Sequence, residues 1–182
     1  MPYALDKAKI LVVDDMTPML ALTRSILETC GFKHVFTATS GEEAFELVCK
    51  HDPDLILTDW VMEPIDGLEF AKNVRHNPLS PNPYVPILMM TGYGSKPRVE
   101  SSRDAGITEF LIKPFTSKDL CARIVQIIEK PRQFVETQQF FGPDRRRRKA
   151  GEFEEAKRGD DPLPETNTDI LKKLHEETKT IS

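Results

Sequence analysis

The stretch Leu55-Ile56-Leu57-Thr58-Asp59 decides the fold. Its aliphatic residues are consecutive rather than alternating. A strand built from them is apolar on both faces and belongs in the middle of a sheet covered by helices on each side. Similar short runs recur at Ile10 to Val13, Val35 to Ala38, Ile87 to Met90 and Phe110 to Ile112, each of strand length and each followed by a helix-like stretch. The helix starts carry their own signals. Thr17 followed by Pro18 reads as an N-cap with proline at the first helical position, Ser40-Gly41-Glu42-Glu43 as a capping box, and Thr116-Ser117-Lys118-Asp119 as a weaker one. Apolar residues then follow at helical spacing: Met19, Leu22, Ile26 and Cys30; Ala44, Leu47 and Val48; Leu120, Ile124, Ile127 and Ile128. Five strands alternating with five helices predict an α/β fold with a doubly wound parallel sheet. The fourth helical stretch, around Pro97 to Ala105, has only Val99 and Ala105 as apolar residues and is expected to pack weakly.

Each of four strands is followed or closed by a polar group. Asp14 and Asp15 follow the first run, Asp59 the third, Thr91 the fourth and Lys113 the fifth. Ligands of open parallel sheets bind outside the carboxyl ends of the strands, so these side chains are expected to converge although Asp14 and Lys113 are 99 positions apart. Three carboxylates in one crevice need compensation: at ~5 Å and an effective dielectric of ~20, each pair repels by roughly 3 kcal/mol. Lys113 supplies one positive charge. A divalent cation supplies the rest, and an all-oxygen site with room for water suits Mg²⁺ better than zinc. Such a site fits phosphoryl transfer, with Asp59 as nucleophile, Lys113 neutralising charge and Thr91 donating a hydrogen bond. Asp59 stands alone on the central strand, whereas Asp14 and Asp15 are adjacent and better arranged as a metal clamp. Taken singly, each of these aspartates also reads as an ordinary turn or cap residue. No glycine-rich phosphate loop is present.

The chain has 182 residues, enough for about one domain with a remainder. Hydrophobic residues make up 39% and charged residues 30% of it, a dilution that implies an unpacked stretch. The net charge of −4 excludes a nucleic-acid coat protein. The longest aliphatic run near the start has four residues, too short for a signal peptide or a membrane span, so a soluble cytoplasmic protein is expected. Cys30, Cys49 and Cys121 are far apart without zinc-ligand spacing and read as reduced thiols in helices. The dilution lies in residues 131–182, where Pro131 to Lys149 carries net charge +4 and Ala150 to Ser182 carries −4. Gly151 to Thr168 has the composition of a disordered linker, and Ile170, Leu171 and Leu174 suggest at most a short final helix.

The motif set resembles the receiver domain of two-component response regulators over roughly residues 8–130: Val13-Asp14-Asp15, Leu57-Thr58-Asp59 with Met62 and Asp66-Gly67, Met90-Thr91-Gly92, and Lys113-Pro114-Phe115. The resemblance implies a flavodoxin-like (βα)5 fold with strand order 2-1-3-4-5. It implies Asp59 as phospho-acceptor and Mg²⁺ held by Asp14, Asp15, Asp59 and the backbone carbonyl of Val61. Lys113 would contact the phosphoryl group. Thr91 and Phe110 would form the switch, and Lys113-Pro114 would be cis. Val61 and Tyr93 fall where the family tunes hydrolysis of the acyl phosphate; both are bulky and largely apolar, which implies a phosphoryl lifetime longer than in chemotaxis receivers. Two departures stand out. Glu63 occupies the family's usual proline position, with Pro64 following, and Asn77 to Pro86 forms an extended loop with four prolines.

The expected organisation is therefore a receiver at residues 1–130 and an extension at 131–182, mostly disordered. The extension shows no helix-turn-helix pattern and too few apolar residues for a core of its own. This points to a stand-alone receiver whose output is docking. Phe134, Phe140 and Phe141 either fold back on the receiver or form an exposed partner motif. Arg145, Arg146, Arg147 and Arg148 with Lys149 read as a solvated or acidic-tail-paired run, a protein-docking element, or a nucleic-acid or membrane contact. The resemblance implies a sensor histidine kinase or phosphotransfer protein as phosphoryl donor, an unidentified protein target and a homodimer as one outcome of phosphorylation. The competing readings are a nucleic-acid binder acting through the basic run and a metal-dependent phosphatase with its nucleophile on the first strand.

Overall fold

A computed structural model of the chain describes residues 5–92, 105–137 and 140–144. The elements run β1 (Lys9–Val13), α1 (Thr17–Thr29), β2 (His34–Ala38), α2 (Gly41–His51), β3 (Leu55–Asp59), α3 (Gly67–His76), β4 (Ile87–Thr91), β5 (Glu109–Ile112), α4 (Ser117–Glu129), β6 (Phe134–Thr137) and β7 (Phe140–Pro143). The first five strands form one sheet of order β2-β1-β3-β4-β5, parallel at every pairing. β3 lies at its centre, with Ile56 opposite Leu11 in β1 and Ile87 in β4. The helical stretch expected around Pro97 to Ala105 lies outside the described residues save for Ala105, as do Tyr93, the basic run and the remainder of the chain after it.

Strand pleating sorts the core into two layers. Ile10, Val12, Leu55, Leu57, Leu88, Met90 and Leu111 face α1 and α4 and meet Leu20, Leu27, Leu120, Ile124 and Ile127. Leu11, Val13, Ile56, Ile87 and Met89 face the other way, toward Ala44 and Val48 of α2 and Phe70 and Val74 of α3.

The caps differ in detail from the sequence reading. The N-cap of α1 is Met16, with Thr17 the first helical residue, and no side chain caps it; Asp14 Oδ1 instead accepts from the Met16 N–H at 2.9 Å. Ser40 accepts from the Glu43 N–H, but the Glu43 carboxylate accepts from Thr39 rather than closing the box on Ser40. The complete box is the one at Thr116 and Asp119.

The expectation of three reduced thiols is corrected. Cys30 and Cys121 form a disulfide, with Cα atoms 6.6 Å apart and 91 positions between them in sequence, while Cys49 is free and exposed. Cys30 caps the end of α1 and Cys121 sits in α4; the doubly wound order places both helices on one face of the sheet, which spacing along the chain does not reveal.

A second, antiparallel sheet follows α4. Phe134 pairs with Pro143 and Thr137 with Phe140, and the compact unit that includes this hairpin runs to Asp144. Tyr84, in the proline-containing loop before β4, lies 5.2 Å from the ring centroids of both Phe134 and Phe141. Of the two readings of the aromatics, Phe134 and Phe141 are thus folded back.

Candidate functional site

The parallel sheet brings the carboxyl ends of β1, β3, β4 and β5 to one edge, and the polar residues meet there. Asp14 begins the loop after β1, and its backbone N–H donates to Ala38 of β2 at 3.2 Å, so the strand pairing itself holds it. Its side chain is 1% exposed. Asp59 closes β3. The following turn is tied back at both sides: the Trp60 N–H donates to the Met90 carbonyl at 3.0 Å, and the Gly67 N–H to the Trp60 carbonyl at 2.9 Å. Lys113 follows β5, with its N–H on the Thr91 carbonyl at 2.7 Å and its peptide bond to Pro114 cis, as expected. Glu63-Pro64, at the departure noted in the sequence, is cis as well.

The Lys113 ammonium bridges two of the three acids, 3.0 Å from Asp59 Oδ1 and 3.2 Å from Asp14 Oδ2. Carboxylate oxygens of Asp14, Asp15 and Asp59 lie within 4.8 Å of one another, so one small cation can touch all three. An all-oxygen set of three acids balanced by a single lysine fits a hard divalent cation.

Burial and charge oppose each other here. Burial pushes the Asp59 carboxyl above its ordinary 3.8, aided by Asp14 and opposed by the Lys113 hydrogen bond and charge. For Lys113, burial pulls the ammonium down, but its two carboxylate partners outweigh that and leave it above 10.5. The asymmetry follows from stoichiometry: the lysine has two acids, whereas the two acids share one lysine.

Glycine at 67 is a steric requirement. A Cβ there would lie 2.1 Å from the carbonyl oxygen of Asp59 and 3.2 Å from Met89 Cε, so the N-terminus of α3 packs directly on the backbone of the site. Thr91 is buried at the end of β4, and Phe110, on β5, packs against the layer that contains Met89 and Phe70. Val61 is 69% exposed in the loop beyond Asp59.

Residues 10–125 match the Response regulator receiver domain family. The chain belongs to that family. It is 30% identical over 122 residues to the chemotaxis protein CheY-3 of Vibrio cholerae, covering 67% of this chain and 92% of that one. It is 34% identical over 121 residues to the chemotaxis protein CheY1 of Helicobacter pylori, covering 66% and 96%. Among solved structures, chemotaxis protein CheY4 of Vibrio cholerae superposes with a TM-score of 0.62 at 32% identity, covering 66% of this chain and 98% of that one. A response regulator receiver domain protein of Clostridium thermocellum gives 0.61 at 28% identity, covering 68% and 95%. The receiver is thus a CheY-like module of two-component signalling, with an acidic cluster able to hold a metal ion. No described helix is long and apolar enough to cross a membrane.

Three features of the receiver escaped the sequence reading. Arg75, at the end of α3, is 3% exposed, and its guanidinium donates to the Gly106 carbonyl at 3.1 and 2.8 Å and to the Pro83 carbonyl at 2.8 Å. Burial lowers its pKa to about 9, which leaves it a cation at neutral pH. Glu109, the first residue of β5, is buried and paired with Arg132, with Arg123 of α4 at 3.7 Å. The proline-containing loop is more than a surface linker: Pro83 satisfies Arg75, Tyr84 seats the hairpin and Val85 is buried. The proline at 83 could have hinted at a fixed carbonyl, but nothing in sequence pairs it with Arg75.

Proposed function

We propose that the protein is a phosphorylation-controlled response regulator that accepts a phosphoryl group on Asp59 and signals by binding a protein target. One observation carries the choice of acceptor. Asp14 touches Lys113 but is 1% exposed, Asp15 is exposed without a lysine contact among the described residues, and Asp59 combines a Lys113 contact with 14% exposure. A carboxylate oxygen of Asp59 attacks the phosphorus of a phosphohistidine on a histidine kinase or phosphotransfer protein. The P–N bond breaks, its electron pair returns to the imidazole, and an aspartyl phosphate forms. Lys113 then faces the phosphoryl oxygens, and Thr91 is the nearby hydroxyl donor. Mg²⁺, held by Asp14, Asp15, Asp59 and the Val61 carbonyl, would neutralise charge on the transferring group. Hydrolysis reverses the modification: water attacks phosphorus, phosphate leaves, and the Asp59 carboxylate is restored. Phe110 and Thr91 form the switch, Val61 and Tyr93 set the lifetime, and residues 131–182 form the extension through which the receiver acts in the cytoplasm.

The test is incubation of the full chain with a small acyl phosphate and Mg²⁺, followed by intact-mass measurement. One added phosphoryl group, absent in Asp59→Asn and not formed when Mg²⁺ is chelated beforehand, is the expected result. Sustained turnover of a small phosphoester without a phosphoprotein would overturn the reading in favour of a phosphatase.

A further inference from the structure

The three cysteines divide into a pair and an outlier. Cys30, at the C-terminal end of α1, is bonded to Cys121, early in α4, with Cα atoms 6.6 Å apart, inside the roughly 4.4–6.8 Å that a disulfide spans. Cys49 is exposed on α2, with its Sγ 3.5 Å from the Leu79 carbonyl. That helix packs on the other face of the sheet, so Cys49 is not placed to exchange with the pair.

Two properties separate the bond from a structural staple. First, the helices it joins have their own anchors. Leu20 and Leu27 of α1 and Leu120, Ile124 and Ile127 of α4 are buried in one layer against the sheet. The Cys30 N–H closes α1 on the Ile26 carbonyl, and Thr116 and Asp119 open α4 with a complete capping box, so neither helix end is held by sulfur. With the bond open, two thiols remain as small apolar groups at the edge of that layer. Second, both cysteines are half-buried, at the rim of the layer and not within it. Exchange needs a sulfur that a small thiolate can approach, and the rim allows it. In the cytoplasmic setting proposed above thiols are kept reduced, and a bond that is dispensable and approachable there is one that opens and closes.

We propose that Cys30 and Cys121 are a reversible redox modification site whose co-reactants are small disulfides and thiols of the glutathione class. To close it, the thiolate of one cysteine attacks a sulfur of the small disulfide, whose S–S bond breaks and releases one thiolate. The thiolate of the second cysteine attacks the protein sulfur of the mixed disulfide and releases the other. Two protein thiols are oxidised, one small disulfide is reduced to two thiols, and two protons pass from the cysteines to the leaving sulfurs. Reduction is the reverse. The closed bond spans 91 positions, from the end of α1 to the start of α4, and encloses β2 to β5 with Asp59, Thr91 and Lys113. A cross-link over so long a loop restricts the unfolded chain, so oxidation acts on the stability of the receiver and not through the acceptor.

The test is the full chain equilibrated in glutathione buffers of graded ratio, quenched with an alkylating agent and read by peptide mass, with thermal unfolding alongside. The expected result is a Cys30–Cys121 bond that is complete in oxidised glutathione and open in most chains when reduced glutathione is in about a hundredfold excess. The reduced protein keeps its circular dichroism and unfolds roughly 5–15 °C lower than the oxidised one. Cys30→Ala and Cys121→Ala each melt alike in both buffers. Asp59→Asn opens and closes the bond as the wild type does, and acyl phosphate labelling of the reduced protein tests the acceptor on its own, so the two readings fail separately. A bond that never forms, that stops at a glutathione adduct, or that stays closed in the reduced excess overturns the proposal. So does a reduced protein that is unfolded before heating.

Discussion

Gly67→Ala is the most demanding test of how the site is built, because it adds one carbon and removes nothing. That carbon would sit 2.1 Å from the Asp59 carbonyl oxygen, against an ordinary van der Waals separation of about 3.5–4.0 Å. The Met89 methyl can swing aside, but the closest clash is with backbone, which cannot. The carbonyl belongs to β3, which is paired on both sides, and position 67 begins α3, whose N–H is fixed on Trp60. Restoring that separation requires β3 and α3 to part by about 1.4–1.9 Å. Overpacking of this kind costs about 1–3 kcal/mol. Alanine recovers at most about 0.5–1 kcal/mol of that through its helix preference. A central net loss of ~1.5 kcal/mol lowers the melting temperature by roughly 3–6 °C for a chain of this size. The larger effect is on chemistry, because a displacement of about 1 Å at a reacting group costs on the order of 10²-fold in rate. The assay is phosphorylation by a small acyl phosphate followed by Trp60 fluorescence, alongside calorimetry. Gly92→Ala is the control, since a Cβ there meets nothing within 4 Å. Gly67→Ala melting with the wild type and phosphorylating within twofold of its rate would refute the steric argument.

Asp59→Asn should change the pH dependence of stability in metal-free buffer. The folded carboxyl titrates above 3.8, so the native state holds the proton more tightly, and stability declines as pH rises from 3.8 through the raised value. Asn removes that decline and gives a more stable protein at neutral pH; denaturant titrations showing the same slope in both proteins would contradict this. Lys113, raised above 10.5, contributes stability that persists below that value and is lost only at more alkaline pH. Arg75→Ala strips the partners from two carbonyls, Gly106 and Pro83, and should destabilise by about 2–5 kcal/mol in urea unfolding. Val61→Asn introduces a group able to orient water two residues from the acceptor. Phosphate release from the Mg²⁺-loaded aspartyl phosphate should accelerate by about tenfold, equivalent to ~1.4 kcal/mol, and equal rates would dismiss the role of Val61.

The receiver core was legible because its signals are local and its ligand rule is topological. Leu55 to Leu57 declares a strand buried on both faces, and once five such strands alternate with helices, the residue after each strand is placed without further information. That is why Asp14, Asp59, Thr91 and Lys113 could be gathered from distant positions. The hairpin obeys no such rule. Phe134 and Phe141 look like two aromatics in a dilute, charged extension, and their partner Tyr84 sits 50 positions before Phe134 among prolines. Arg75 and His76 read as favourable basic residues in the last turn of α3, and nothing about that turn reveals a buried guanidinium. Glu109 precedes the apolar run Phe110 to Ile112 and passes for a polar residue at a strand edge, yet it is buried by two arginines from outside the sheet. Cys30 and Cys121 meet only because α1 and α4 share a face. In each case the missing information is which distant side chain supplies the compensating group. A buried charge requires such a partner, but the sequence does not name it. The carboxylates escaped that ambiguity because they come as a set on consecutive strand ends, and a set of like charges states its own need for a cation. Arg75 and Glu109 are single charges of opposite sign. Each is answered from a different direction, one by carbonyls and an aromatic ring and the other by arginines, and both answers include a side chain from the segment after α4.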